Sequence, residues 1–207
     1  MSRSVLWAGV SLLLGLALVA VFMLNRPYTF RGSAIDPAIP AADFTLTDAQ
    51  GEDFTLRDQE GSLVLVFFGY TTCPDVCPAT LSEMRAIRRR LQADPRLSAQ
   101  AESIRYVFIT VDPQRDTPER MGKYVASFDP SFVGLTGREA ELEPVWKSYG
   151  VYRAISETDS AAGYLVDHTA RVYLIDQVGN LRLTYAFGTP IDDMLQDVRY
   201  LLKQAGS

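Results

Sequence analysis

The chemistry available to this chain is concentrated in three side chains. Its only two cysteines, Cys73 and Cys77, lie in Phe67-Phe68-Gly69-Tyr70-Thr71-Thr72-Cys73-Pro74-Asp75-Val76-Cys77-Pro78, and its only histidine is His168. A thiol acts as a nucleophile or metal ligand only as the thiolate, and a helix N-terminus lowers its pKa by placing unpaired N–H groups and the positive end of the helix dipole beside it. Cys77, just before a proline suited to the first helical position, is placed for that effect. If the turn is helical, residues i and i+4 present both sulfurs on one face. That spacing suits a chelate and also permits a disulfide, given a Cα separation of about 5–6 Å. Pro74 and Pro78 remove two backbone donors and stiffen the loop. Two thiolates and one imidazole make a three-donor set. Structural zinc normally takes four ligands, and no further Cys or His exists to complete it. Soft sulfur with imidazole suits copper, Cu(I) especially, with Cu(II) as a second state to consider. Zinc completed by an Asp or a water is the weaker alternative.

Each of these residues also has a plainer reading. The cysteines could be small buried hydrophobes, although two prolines and an Asp inside the pair make poor core material. His168 alone would read as a hydrogen-bonded loop residue. Its place between Asp167 and Thr169, ahead of a buried strand, favours the site. Asp167 either fixes the imidazole tautomer or is a turn residue.

The elements that must position these groups alternate. Phe44–Thr47 and Phe54–Leu56 read as a small hairpin around Asp48-Ala49-Gln50-Gly51. Leu63–Phe68 is a continuous apolar run, as in a central parallel strand buried on both faces. After Pro78, Leu81, Met84, Ile87 and Leu91 repeat at helical spacing. Arg88, Arg89 and Arg90 fall in the last turns, as a solvated face that also complements the dipole. Ile104–Val111 is a second buried strand, ending in Asp112-Pro113-Gln114-Arg115-Asp116-Thr117-Pro118. Thr117 can cap the helix that follows, with Pro118 first inside it. A short strand is expected at Phe132–Leu135, a helix over Arg138–Tyr149 closed by Gly150, and a polar loop over Ser156–Gly163. Strands at Val172–Ile175 and Leu181–Phe187 flank a Gly179-Asn180 turn, and a last helix runs from Pro190 to Lys203. This order predicts an α/β sandwich, with its site at the carboxyl ends of strands.

Val5–Leu24 is twenty residues without a charge, about what a helix needs to cross a hydrocarbon core of roughly 30 Å. No small-x-small cleavage pattern lies just past it, so residues 1–26 read as an uncleaved membrane anchor. Residues 27–41, with Pro27, Pro37 and Pro40, read as a tether, and 42–207 as one domain. The formal net charge is −5, with no basic footprint for nucleic acid. The absence of an Arg- and Ser-rich transit segment points to a bacterial inner membrane, single-pass, with the domain in the periplasm.

Four motifs in order give this chain a specific resemblance. Phe68–Pro78, Val111–Pro118, Val133-Gly134-Leu135-Thr136-Gly137 and Val166-Asp167-His168-Thr169 resemble the Sco/SenC family of membrane-tethered, thioredoxin-like copper proteins of cytochrome c oxidase assembly. The resemblance covers residue 40 to the end. It implies a thioredoxin-like three-layer α/β sandwich with an N-terminal hairpin, preceded by one transmembrane helix. It implies a copper site from Cys73, Cys77 and His168. It also implies copper delivery to, or thiol reduction at, the binuclear copper centre of oxidase subunit II or another copper-receiving protein, with a separate copper donor. Many members carry a His just before the first Cys, where this chain has Thr72. Asp112 and Asp116 match the family's acidic loop, as partner contacts or helix caps. Two other functions compete. A general thiol–disulfide reductase would use Cys73 and Cys77 as a redox pair, although its usual gap is two residues and not three. A peroxidase shares only the fold class.

Overall fold

In a computed structural model of the chain, the residues described are 7, 12, 14–17, 19, 27–157 and 163–204. They fall into two units, residues 1–30 and 31–207. In the first, the rings of Tyr28 and Phe30 meet edge to face at 5.2 Å. The expected anchor over 1–26 lies for the most part outside the described residues. Among those described, no helix is long and apolar enough to cross a membrane.

The second unit is built on a six-stranded sheet. In chain order its elements are β1 (Ser33–Pro40), the small hairpin β2 (Thr45–Thr47) and β3 (Asp53–Thr55), β4 (Val64–Gly69), α1 (Val76–Gln92), α2 (Ser98–Ala101), β5 (Arg105–Thr110), α3 (Pro118–Ala126), β6 (Val133–Leu135), α4 (Glu139–Ser148), the hairpin β7 (Arg153–Glu157) and β8 (Tyr164–His168), β9 (Arg171–Ile175), β10 (Asn180–Ala186) and α5 (Ile191–Gln204). The sheet order is β1-β10-β9-β4-β5-β6. β4 runs parallel to β5 and antiparallel to β9, in register through Phe67 opposite Phe108 and Val172. Every residue of β4 is buried, which is why its sequence is an unbroken apolar run instead of an alternating one. Around it the core is aromatic. Phe68 packs against Tyr149 at 5.5 Å and Tyr173 at 5.6 Å, and Phe67 stacks on Phe108 at 5.9 Å. Helix α1 buries Leu81, Met84, Ile87 and Leu91, the face its periodicity marked, and packs on α5.

Three expectations are corrected. The tether reading of 27–41 gives way over Ser33–Pro40, where the chain forms edge strand β1, antiparallel to β10. Its proline content misleads because an edge strand bonds on one side only, and the register shift between Ala34 and Ile39 breaks the alternation that would have marked a strand. The entry to β1 is fixed by a buried carboxylate: Asp197 of α5 accepts from the N–H groups of Arg31 and Gly32 and from the Tyr185 hydroxyl. The second correction concerns the expected loop over Ser156–Gly163, of which 158–162 lie outside the described residues and Ser156 and Glu157 belong to a strand. Arg153–Glu157 pairs with Tyr164–His168 as a two-stranded sheet of its own, with Arg153 directly opposite His168. The third is the start of α1. The helix begins at Val76, so Cys77 is its second residue and Pro78 its third. Proline is still tolerated there, because the first four N–H groups of a helix have no intrahelical partner.

Candidate metal and redox centre

The cysteine loop leaves the carboxyl end of β4 and turns directly into α1. This places Cys77 in the first turn of the helix, fully buried, while Cys73 in the loop is partly exposed. Gly69, the last residue of β4, makes room for this: a Cβ there would lie 2.6 Å from Cys77 Sγ and 2.7 Å from the Phe108 ring. Both thiols are free, and the backbone N–H of Cys77 points at Cys73 Sγ at 3.5 Å. His168 ends β8 and brings Nε2 to 3.7 Å from Cys77 Sγ. One donor atom from each of Cys73, Cys77 and His168 lies within 4.8 Å of the others, so the three residues singled out in the sequence form one group.

The imidazole is oriented for this. Its Nδ1 lies 3.2 Å from the carbonyl oxygen of Thr169. A carbonyl only accepts, so Nδ1 carries a hydrogen, and Nε2, on the side of the sulfurs, is the nitrogen that can take a metal. The rings of Tyr70 and Phe67 stand edge-on to the imidazole at 5.9 and 6.3 Å. Asp167 does not fix the tautomer: it is exposed and its carboxylate accepts from Ser156 Oγ at 2.6 Å. Alternation explains the difference, because adjacent residues of a strand face opposite ways.

The two sulfurs are electrostatically unequal. Cys73 is lowered to about 4, chiefly by the hydrogen bond from the Cys77 thiol, with His168 and backbone N–H groups assisting against partial burial. Cys77 is pushed up, first by giving that hydrogen bond and second by burial. The pair is therefore biased toward a thiolate on the partly exposed Cys73, with the proton kept on the buried Cys77.

Asp112 and Asp116 are both fully buried, so neither is a partner contact in this structure, and the cap of α3 is Thr117. They fasten the loop between β5 and α3 to the site from two sides. Asp116 accepts from the Thr71 N–H at 3.1 Å, the Thr71 hydroxyl at 2.5 Å and the Thr110 hydroxyl at 2.7 Å. Burial raises its pKa, against those hydrogen bonds. Asp112 accepts from the Tyr164 hydroxyl at 2.8 Å and from Arg115 Nε. Arg115 also donates to the Tyr164 carbonyl at 2.9 Å, and its guanidinium lies 3.7 Å from the Tyr164 ring centroid. Arg153 donates to the Val111 carbonyl at 2.5 Å, and Trp146 Nε1 to that of Thr110 at 3.0 Å. Thr71 and Arg115 stand inside the quoted motifs and Arg153 and Tyr164 outside them, but the role of each is hidden in one sequence because each has a partner tens of residues away.

The model of the SCO1/SenC family matches residues 33–203. The mitochondrial SCO2 homolog of Bos taurus is 36% identical over 162 residues, 78% of this chain and 59% of that protein. This chain thus spans about three-fifths of the length of that relative. The SCO2-like protein of Rickettsia felis is 35% identical over 192 residues, 89% of this chain and 91% of the relative. Arabidopsis thaliana ScoI, solved with copper bound, is 31% identical with a TM-score of 0.73, covering 80% of this chain and 99% of that one. The solved BsSco, described as having a disulfide switch and as belonging to the Sco family of cytochrome c oxidase assembly proteins, is 26% identical with a TM-score of 0.60, over 80% and 95% of the two chains. The mixed α/β, thioredoxin-like fold expected from the sequence fits these neighbours.

Proposed function

The chain belongs to the SCO1/SenC family, and on that premise we propose that it is a copper carrier of cytochrome c oxidase assembly. It is held at a bacterial inner membrane by its N-terminal segment, with the domain in the periplasm. It delivers copper to the binuclear site of oxidase subunit II, reduces the cysteines of that site, or does both. The observation that carries this is the convergence of two sulfurs and one imidazole nitrogen within 4.8 Å at the end of a buried strand. The donor set fits copper, since thiolates and a neutral imidazole are what Cu(I) prefers and, among the described residues, no fourth ligand for structural zinc joins the group. The cargo is held by Cys73, Cys77 and His168. The half-exposed Cys73 is the sulfur an incoming partner ligand reaches first, and Cys77 stays behind in the core.

The asymmetry of the pair favours reduction as a second activity. The Cys73 thiolate attacks a partner disulfide, forming a mixed disulfide and releasing one partner thiolate. Cys77 passes its proton to the partner thiolate just released and attacks the Cys73 sulfur, which closes the Cys73–Cys77 disulfide and releases the second partner thiolate. Two electrons pass to the partner. A general extracytoplasmic thiol–disulfide reductase would need nothing more. The experiment presents the full chain, copper-loaded or copper-free, to the soluble copper domain of an oxidase subunit II, reduced or oxidised. Metal transfer that requires His168 supports delivery. Partner dithiol formation that survives His168→Ala supports reduction. Neither with subunit II, but reduction of unrelated disulfides, would favour the general reductase.

A further inference from the structure

The hairpin that carries His168 is not part of the main sheet. Its far end, at Tyr164, must be held by side chains if the imidazole is to meet the sulfurs. The contacts that hold it converge on the loop between β5 and α3, which also grips the cysteine loop. Asp112 and Arg115 take both the hydroxyl and the carbonyl of Tyr164, four residues before His168. Arg115 reaches the cysteine side as well, with its guanidinium 5.7 Å from the ring centroid of Tyr70, whose edge meets His168. Arg153, opposite His168 in register, is tied to Val111 in the same loop. On the other side Asp116 holds Thr71, two residues before Cys73, through its N–H and its hydroxyl. All of this is buried or partly buried, and a guanidinium fork that bonds a carboxylate and a carbonyl at once has little freedom.

We propose that Arg115, with Asp112 and Tyr164, forms a positioning clasp that sets the separation between the imidazole and the two sulfurs, and so sets copper affinity without touching the metal. The inference rests on the three-ligand copper site proposed above. Outer partners that orient metal ligands are typically worth about 10- to 100-fold in affinity when removed. A clasp acting through His168 has a specific signature: its removal costs nothing further once the imidazole is gone.

The test is an anaerobic competition titration of Cu(I) against a chromophoric chelator, using the full chain. The proteins are wild type, Tyr164→Phe, Arg115→Met, His168→Ala, and the two doubles Tyr164→Phe/His168→Ala and Arg115→Met/His168→Ala. Tyr164→Phe deletes only a hydroxyl and keeps the ring, so folding is safeguarded. Arg115→Met keeps the stem. Melting curves on the copper-free proteins accompany each titration. The expected result is about a 10-fold loss of affinity in each single clasp variant, with no further loss in either double beyond His168→Ala. Rapid alkylation of Cys73 should be unchanged in the two single clasp variants. Unaltered affinity in both clasp variants overturns the proposal. So does an equal loss in the presence and absence of His168, which would mean general loosening of the domain. If His168→Ala itself binds copper as tightly as wild type, the three-ligand reading fails and the clasp fails with it, an outcome separate from the first two.

Discussion

Gly69→Ala joins the fold to the site through a single methyl group. Gly69 closes β4, and the added carbon would sit 2.6 Å from Cys77 Sγ and 2.7 Å from Phe108 Cε2. Both neighbours are buried, at 0% and 1% exposure, so neither can swing into solvent. Both must give by more than about half an ångström to reach ordinary contact. Overpacking of this kind costs about 1–3 kcal/mol. For a domain of this size each kcal/mol is about 2–4 °C in Tm, so a cost of about 2 kcal/mol gives about 4–8 °C. The displaced sulfur is also a proposed copper ligand, so Cu(I) affinity should fall along with Tm. Gly179→Ala is the control. Its φ of +81° makes the substitution strained, but its Cβ meets nothing nearer than Glu60 at 3.8 Å and no cysteine. It should lower Tm and leave copper binding intact. The assays are thermal unfolding of the copper-free chain by circular dichroism and Cu(I) competition. A Gly69→Ala protein with wild-type Tm and wild-type affinity would refute the packing argument. Equal effects of the two substitutions on copper would refute the link to Cys77.

Further outcomes follow from the same geometry. Cys73, lowered to about 4, should be alkylated at a rate that holds as pH falls from 8 to about 5, whereas an ordinary thiol near 8.5 would lose reactivity over that range. In Cys77→Ala the S–H donor is gone, so the midpoint of the alkylation profile should move up in pH. A profile unchanged from wild type would mean the pair is not coupled. Asp197→Ala leaves the N–H groups of Arg31 and Gly32 and the Tyr185 hydroxyl without their buried acceptor. It should cost about 3 kcal/mol in urea unfolding and expose residues 31–40 to protease before the rest of the domain. Oxidation to the Cys73–Cys77 disulfide consumes both proposed sulfur ligands and should release Cu(I), measurable as chelator-accessible copper on titration with oxidant.

Much of the fold was readable because its central elements obey strong rules. The unbroken apolar run of β4, the 3.6-residue stripe of α1 and the Thr117-Pro118 start of α3 are each set by local physics, and the structure has them close to where those rules place them. The misses are places where local signals are weak or overridden. β1 carries prolines and a register shift, and its pairing with β10 is decided by residues about 150 positions away. The β7–β8 hairpin is short and pairs apart from the main sheet, so it has too few apolar positions to mark two strands. The three chemical residues stood out by type alone, since the chain has two cysteines and one histidine. What one sequence could not show is how they are aimed. The Thr169 carbonyl, and not Asp167, orients the imidazole, and Asp112 and Asp116 face inward as buried anchors.

The central claim is that Cys73, Cys77 and His168 together hold copper. Copper K-edge absorption on the full chain loaded with one equivalent of Cu(I) tests it most directly, beside the His168→Ala protein. Two sulfur donors and one nitrogen donor are expected in the first, and loss of the nitrogen with both sulfurs retained in the second. A copper environment without two sulfurs, or one identical in the two proteins, would contradict it.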